Sequence, residues 1–82
     1  MCPWENIPNS AIYIRYDDDG ARFQAIEGFG SPRWMVYLYA DGDQFGPVRG
    51  DDREALAEEL RESRRYAAAR REAERDFERR FV

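Results

Sequence analysis

Eighty-two residues, 43% of them hydrophobic and 15% aromatic, with a formal net charge of −4, make one domain with a thin core, since a chain of this size hides only about 60 to 65% of its unfolded surface. The aromatic share excludes a disordered chain despite 37% charged residues, because each ring adds a large buried area at small entropic cost. The sequence contains no His, no Lys and no Thr, which removes the usual general base, the Schiff-base amine, the phosphate-loop lysine and the imidazole metal ligand together.

Residues 1–10, with Pro3 and Pro8 around Trp4 and Ile7, have no period and read as an extended arm. From Ala11 to Tyr16, β-branched and aromatic residues alternate as in a strand. The run Asp17-Asp18-Asp19 meets Gly20, whose positive φ suits a hairpin, and the chain is expected to return over Arg22 to Glu27. Gly28, Gly30 and Pro32 interrupt it. Trp34 to Tyr39 is then the most apolar stretch, long enough for a strand and too short for a membrane. Asp41-Gly42 predicts a second hairpin, whose return strand, Asp43 to Val48, carries Gly46 and Pro47 and so suits an edge.

After Gly50 the composition turns to Ala, Leu, Glu and Arg, with no Gly or Pro, and predicts one helix over 51–81. Asp51 is expected to cap it, with Glu54 at capping-box spacing. Residues 51–62 hold six acids and two arginines, and residues 63–82 hold seven arginines and four acids, an order that complements the helix dipole. The expected fold is α+β: 1–82 as a single domain, with an arm over 1–10, an antiparallel sheet of three or four strands over 11–48, and one long C-terminal helix across one sheet face.

Chemistry finds little support in the motifs. Ser10, Ser31 and Ser63 lie in no nucleophile-elbow context, and the expectation is a protein that is not an enzyme and takes no cofactor and no metal. The segment YADGDQFGPVRGDD places Asp41 and Asp43 at positions one and three of a calcium loop. Phe45 then stands where an oxygen ligand belongs, and no helix precedes it, so a turn and a helix cap explain it better. The Arg49-Gly50-Asp51 triplet reads as the start of the helix. Cys2 has no partner in the chain, and no basic segment adjoins an apolar run, which points to a cytoplasmic protein without a membrane span.

The arginines Arg64, Arg65, Arg70, Arg71, Arg75, Arg79 and Arg80 could track a phosphate backbone. Acids at Glu58–Arg61, Glu62–Arg65, Arg70–Glu74, Glu72–Arg75 and Asp76–Arg80 spacing make the same helix self-neutralising, so direct nucleic-acid binding is not the expected activity. Leu56, Leu60, Ser63, Tyr66, Ala67, Ala73, Phe77 and Phe81 share one side of the helix, interrupted by Glu59, Arg70 and Glu74. A helix of this length outruns a small sheet. In the third strand Trp34, Val36 and Leu38 point one way and Met35, Tyr37 and Tyr39 the other, so both sheet faces are apolar and one helix shields only one of them. Either the arm with Trp4 and Ile7 covers the second face, or a partner does.

In its small single domain, acidic balance, hairpins IYIRYDDDGARFQAI and WMVYLYADGDQF, and charged helix, the chain resembles the small phage-encoded anti-CRISPR proteins. The resemblance implies a non-enzymatic inhibitor that docks on a CRISPR effector subunit inside the bacterial host cell and blocks target DNA by occupancy. Under it, the acids Asp41, Asp43, Asp51, Asp52, Glu54, Glu58 and Glu59 compete for a basic channel, with Tyr37, Tyr39 and Tyr66 as anchors. Two alternatives stand beside it: a nucleic-acid-binding regulator using the Arg-rich helix, and a self-associating module that forms a homodimer.

Overall fold

Two glycine-bearing turns set the architecture. At Ala40–Asp43 both central residues, Asp41 (φ 57°) and Gly42 (φ 76°), lie in the left-handed region, the geometry that matches strand twist in a two-residue hairpin. The first hairpin is wider: Asp17 C=O accepts from Gly20 N–H (3.0 Å) and Asp17 N–H donates to Ala21 (2.9 Å). Gly20 at φ 85° then absorbs the left-handed residue of a three-residue loop. In a computed structural model that describes residues 3–81, the side chain of Phe81 excepted, the elements are β1 (Glu5–Asn6), β2 (Ile12–Tyr16), β3 (Arg22–Glu27), β4 (Trp34–Ala40), β5 (Asp43–Gly50) and α1 (Arg53–Phe81). Cys2 lies outside the described residues.

The fold is α+β, a five-stranded antiparallel sheet in the order β1-β2-β3-β4-β5 followed by one long C-terminal helix. The strand count exceeds the expected three or four because the N-terminal arm is not merely an arm: Glu5 and Asn6 pair with Ile14 and Tyr13. Pro3 and Pro8 bracket this two-residue strand and keep it short.

The register assigns the faces. Phe23, Ala25, Val36 and Leu38 are fully buried, facing Leu56, Ala57 and Leu60 of α1. Tyr13, Arg15, Trp34, Phe45 and Val48 share that face, and Trp4 joins it edge-on to Phe23, with ring centroids 6.3 Å apart. The arm therefore seals the rim of the core on the helix side and leaves the opposite face alone. A bulge in β5 shifts the pairing between Val36 and Leu38. Gly46 sits there at φ 93°, where a Cβ would stand 2.8 Å from the Val36 carbonyl oxygen, so only glycine fits without displacing backbone.

The helix cap is Asp52, not Asp51. Its Oδ1 accepts from Glu54 N–H (3.1 Å) and Ala55 N–H (3.2 Å), and its carbonyl accepts from Leu56 N–H, the bonds that satisfy the open donors of a first turn. Asp51 instead takes Ser31 Oγ (2.8 Å) and Arg33 N–H (2.9 Å), pinning the β3–β4 loop. Glu54, one position early for a capping box, reaches across to Arg15.

Buried or half-buried positions on the helix end at Ala67, and residues 68–80 are exposed. At about 1.5 Å per residue the 29-residue helix is about 43 Å long, and the molecule measures 54 × 24 × 18 Å. No helix among the described residues is long and apolar enough to cross a membrane.

Candidate binding surface

The sheet's covered face is closed by arginines. Arg15, 3% exposed, donates Nη1 to both oxygens of Glu54 (3.0 and 2.8 Å) and lies over Trp4 and Phe23 at 4.7 and 5.4 Å. Arg53 sits among Trp4, Tyr13 and Trp34, its guanidinium carbon 4.7, 5.3 and 4.6 Å from the ring centres. Rings offer their negative faces to cations in this way. Arg15 and the indole N–H of Trp4 (2.6 Å) hold the Glu54 carboxyl below its ordinary range.

At the far end the helix grips both hairpin tips. Arg61 clasps Asp17 through Nε and Nη2 (3.0 and 2.8 Å). Arg64 spans Asp19 (2.5 Å) and Asp41 (2.9 Å), and Arg71 reaches Asp43 (3.1 Å). The Ala21 N–H, then Arg64, lowers the Asp19 carboxyl, and Arg64 lowers that of Asp41. Reciprocally, Asp41 and Asp19 raise the Arg64 guanidinium. Asp51 is lowered too, by Ser31 and then the Arg33 N–H.

The residues singled out from the sequence thus fall in three places. Asp41 and Asp43 are at the β4–β5 tip and neutralised by helix arginines. Asp51, Asp52 and Glu54 are at the opposite end of the sheet, engaged in the loop pin, the cap and the Arg15 pair. Glu58 pairs with Arg61 (3.1 Å) and Arg65 (3.6 Å), while Glu59 and Tyr66, the latter 71% exposed, lie along the outer helix. The acids do not form one continuous surface. Among the seven C-terminal arginines, Arg64, Arg65, Arg70 and Arg71 hold carboxylates of this chain.

Tyr37 and Tyr39 belong to the other sheet face, stacked 6.3 Å apart at 19°. There the register builds three rows: Ile12, Ile26, Met35 and Arg49; Ile14, Gln24 and Tyr37; Tyr16, Arg22, Tyr39 and Gln44. The apolar members are half-buried by one another, and Tyr16 is 50% exposed. Arg22 lies over the Tyr39 ring at 4.8 Å. Among the described residues no helix or loop packs over these rows. At the sheet end nearest the first row, Phe29 in the Gly28–Gly30 loop is fully exposed, on a loop fastened by Asp51 and by Arg33–Glu27 (2.5 Å).

Ile12, Ile14, Tyr16, Ile26 and Phe29 did not stand out in the sequence as surface residues, whereas Met35 was placed with Tyr37 and Tyr39 on the second face. The available signal was the alternation in β2, where Arg15 and Tyr13 share one parity and the isoleucines the other. An aromatic between two glycines was a second. Comparison with known protein families, with curated proteins and with solved structures finds no match to this chain.

Proposed function

We propose that this chain is a non-enzymatic protein-binding inhibitor that docks through the uncovered face of its sheet. What supports the reading is the row pattern of that face: a contiguous patch of Ile12, Ile14, Ile26 and Met35 beside Tyr16, Tyr37 and Tyr39. Tyrosine, methionine and arginine are the types enriched where proteins meet, because they give large contact area with a polar handle. Arg22 and Arg49 stand within and beside the patch, so the fitting partner is a protein surface with an apolar centre and carboxylates at its margin.

The partner class implied by the resemblance is a CRISPR effector complex, blocked by occupancy. Of the acids first expected to compete for a basic channel, Asp41, Asp43, Glu54 and Glu58 already hold arginines of this chain. The uncovered sheet face is therefore the stronger contact surface. The test is affinity capture from a bacterial host with an active CRISPR system, using the native chain and an Ile14→Arg/Tyr37→Arg variant whose circular dichroism is unchanged. Recovery of an effector subunit by the native chain and its loss in the variant is the expected result. Capture that survives both arginines overturns the docking face. Absence of any effector subunit, with no protection of phage, overturns the partner class.

A further inference from the structure

We infer that the overhanging half of α1 pairs with the same segment of a second copy, the two helices antiparallel about a twofold axis beside Arg71. Among the described residues, Tyr66 and Phe77 are the large apolar side chains exposed on the helix, at 71% and 64%. The eleven steps between them return the helix to within about 20° of whole turns, so they lie on one line. Ala69 and Ala73 fall between them on the same side, both exposed, leaving room for a second helix to come close. Six steps separate Leu60, which faces the sheet, from Tyr66, an angle of about 120°. The line therefore points away from the chain's own core.

Charge specifies the direction. With the axis near residue 71, Tyr66 of one copy meets Phe77 of the other and Ala69 meets Ala73. Glu62 then stands opposite Arg80, Arg65 opposite Asp76, and Arg70 opposite Glu74, each contact occurring twice. Glu62, Asp76 and Arg80 have no ion-pair partner among the described residues of their own chain, and the antiparallel arrangement supplies all three. A parallel pair would set Glu62 against Glu62 and Arg80 against Arg80, which repels.

The overlap from Glu62 to Arg80 is about 28 Å long, a small interface of under about 1,200 Å² in total, so the dimer is reversible. Each sheet packs under residues 56–67 of its own helix, so the two sheets sit at opposite ends of the pair. Both uncovered sheet faces stay open, which makes this contact independent of the docking proposed above.

Sedimentation velocity of the native chain from low to high micromolar concentration is expected to show a monomer–dimer equilibrium, with Tyr66→Glu/Phe77→Glu monomeric throughout. Glu62→Arg alone and Arg80→Glu alone should each weaken the dimer roughly tenfold. The two together in one chain should restore it, because every swapped residue again meets an opposite charge. In a Cys2→Ser background, mixing Tyr66→Cys with Phe77→Cys chains should give the mixed disulfide in preference to either symmetric one. A native chain that stays monomeric overturns the inference. So does a dimer that survives Tyr66→Glu/Phe77→Glu, or one lost in Tyr37→Arg, which would assign self-association to the sheet face.

Discussion

Both faces of the sheet carry large apolar residues, and they meet opposite fates. On the helix side Phe23, Ala25, Val36 and Leu38 are sealed. The seal is as much cationic as apolar: Arg15, Arg53 and Arg61 lie over Trp4, Phe23, Tyr13 and Trp34. On the other side Ile12, Ile14, Ile26 and Met35 are shielded only by neighbours on the same face, Tyr37 among them. Apolar character alone thus does not decide what a small domain hides. The covered side is the one whose sheet arginine, Arg15, finds a carboxylate on the helix, Glu54.

Breaking the covered face should cost most. Leu60→Ala removes a 1% exposed side chain and leaves a cavity under the helix, an expected loss of about 3 kcal/mol in urea unfolding. Arg15→Ala should follow at about 2 kcal/mol, because it removes a buried side chain packed against Trp4 and Phe23 together with its bonds to Glu54 on the helix. A Glu54→Gln variant, whose single amide oxygen can still accept from Arg15 and Trp4 while the charge and the second Arg15 bond are lost, should lose less than Arg15→Ala.

Acid sharpens the contrast, because none of the carboxyls lowered on folding belongs to the rows of the uncovered face. Asp19, Asp41, Asp51 and Glu54 all have carboxyls lowered in the folded state. Groups lowered on folding contribute stability above their unfolded range and lose it as the pH falls through the folded value. The melting temperature should therefore be flat near neutrality and fall below about pH 4, and Arg64→Ala should make that fall shallower. Smallest is the uncovered face: Tyr37→Ser should change stability by no more than about 1 kcal/mol, even as it weakens partner capture.

Much of the fold was legible. Asp41-Gly42 and Gly20 marked both hairpins because few residues other than glycine and aspartate tolerate φ above zero, and the abrupt loss of glycine after Gly50 marked the helix. Which parity of β2 faces inward was not legible, since isoleucine at 12 and 14 argues for burial more strongly than Arg15 does. Only the position of Glu54 across the sheet reverses that preference. Likewise Asp51 and Asp52 are interchangeable as caps in the sequence, and the choice depends on Ser31 and Arg33, about twenty positions earlier. Of the candidate site, the face of Tyr37 and Tyr39 was readable from strand alternation, whereas the spatial separation of the acids was not, because a turn, a cap and a helix lie consecutively in the chain but at opposite ends of the sheet.

The strand order β1-β2-β3-β4-β5 is a plain meander, so each strand hydrogen-bonds to the one made just before it. Such local pairing keeps the entropy of loop closure small and favours rapid acquisition of structure. A nascent chain leaving the ribosome can zip up the sheet in sequence, and the bonds from Glu54 to Trp4 and Arg15, 50 and 39 positions apart, latch only once the helix has followed.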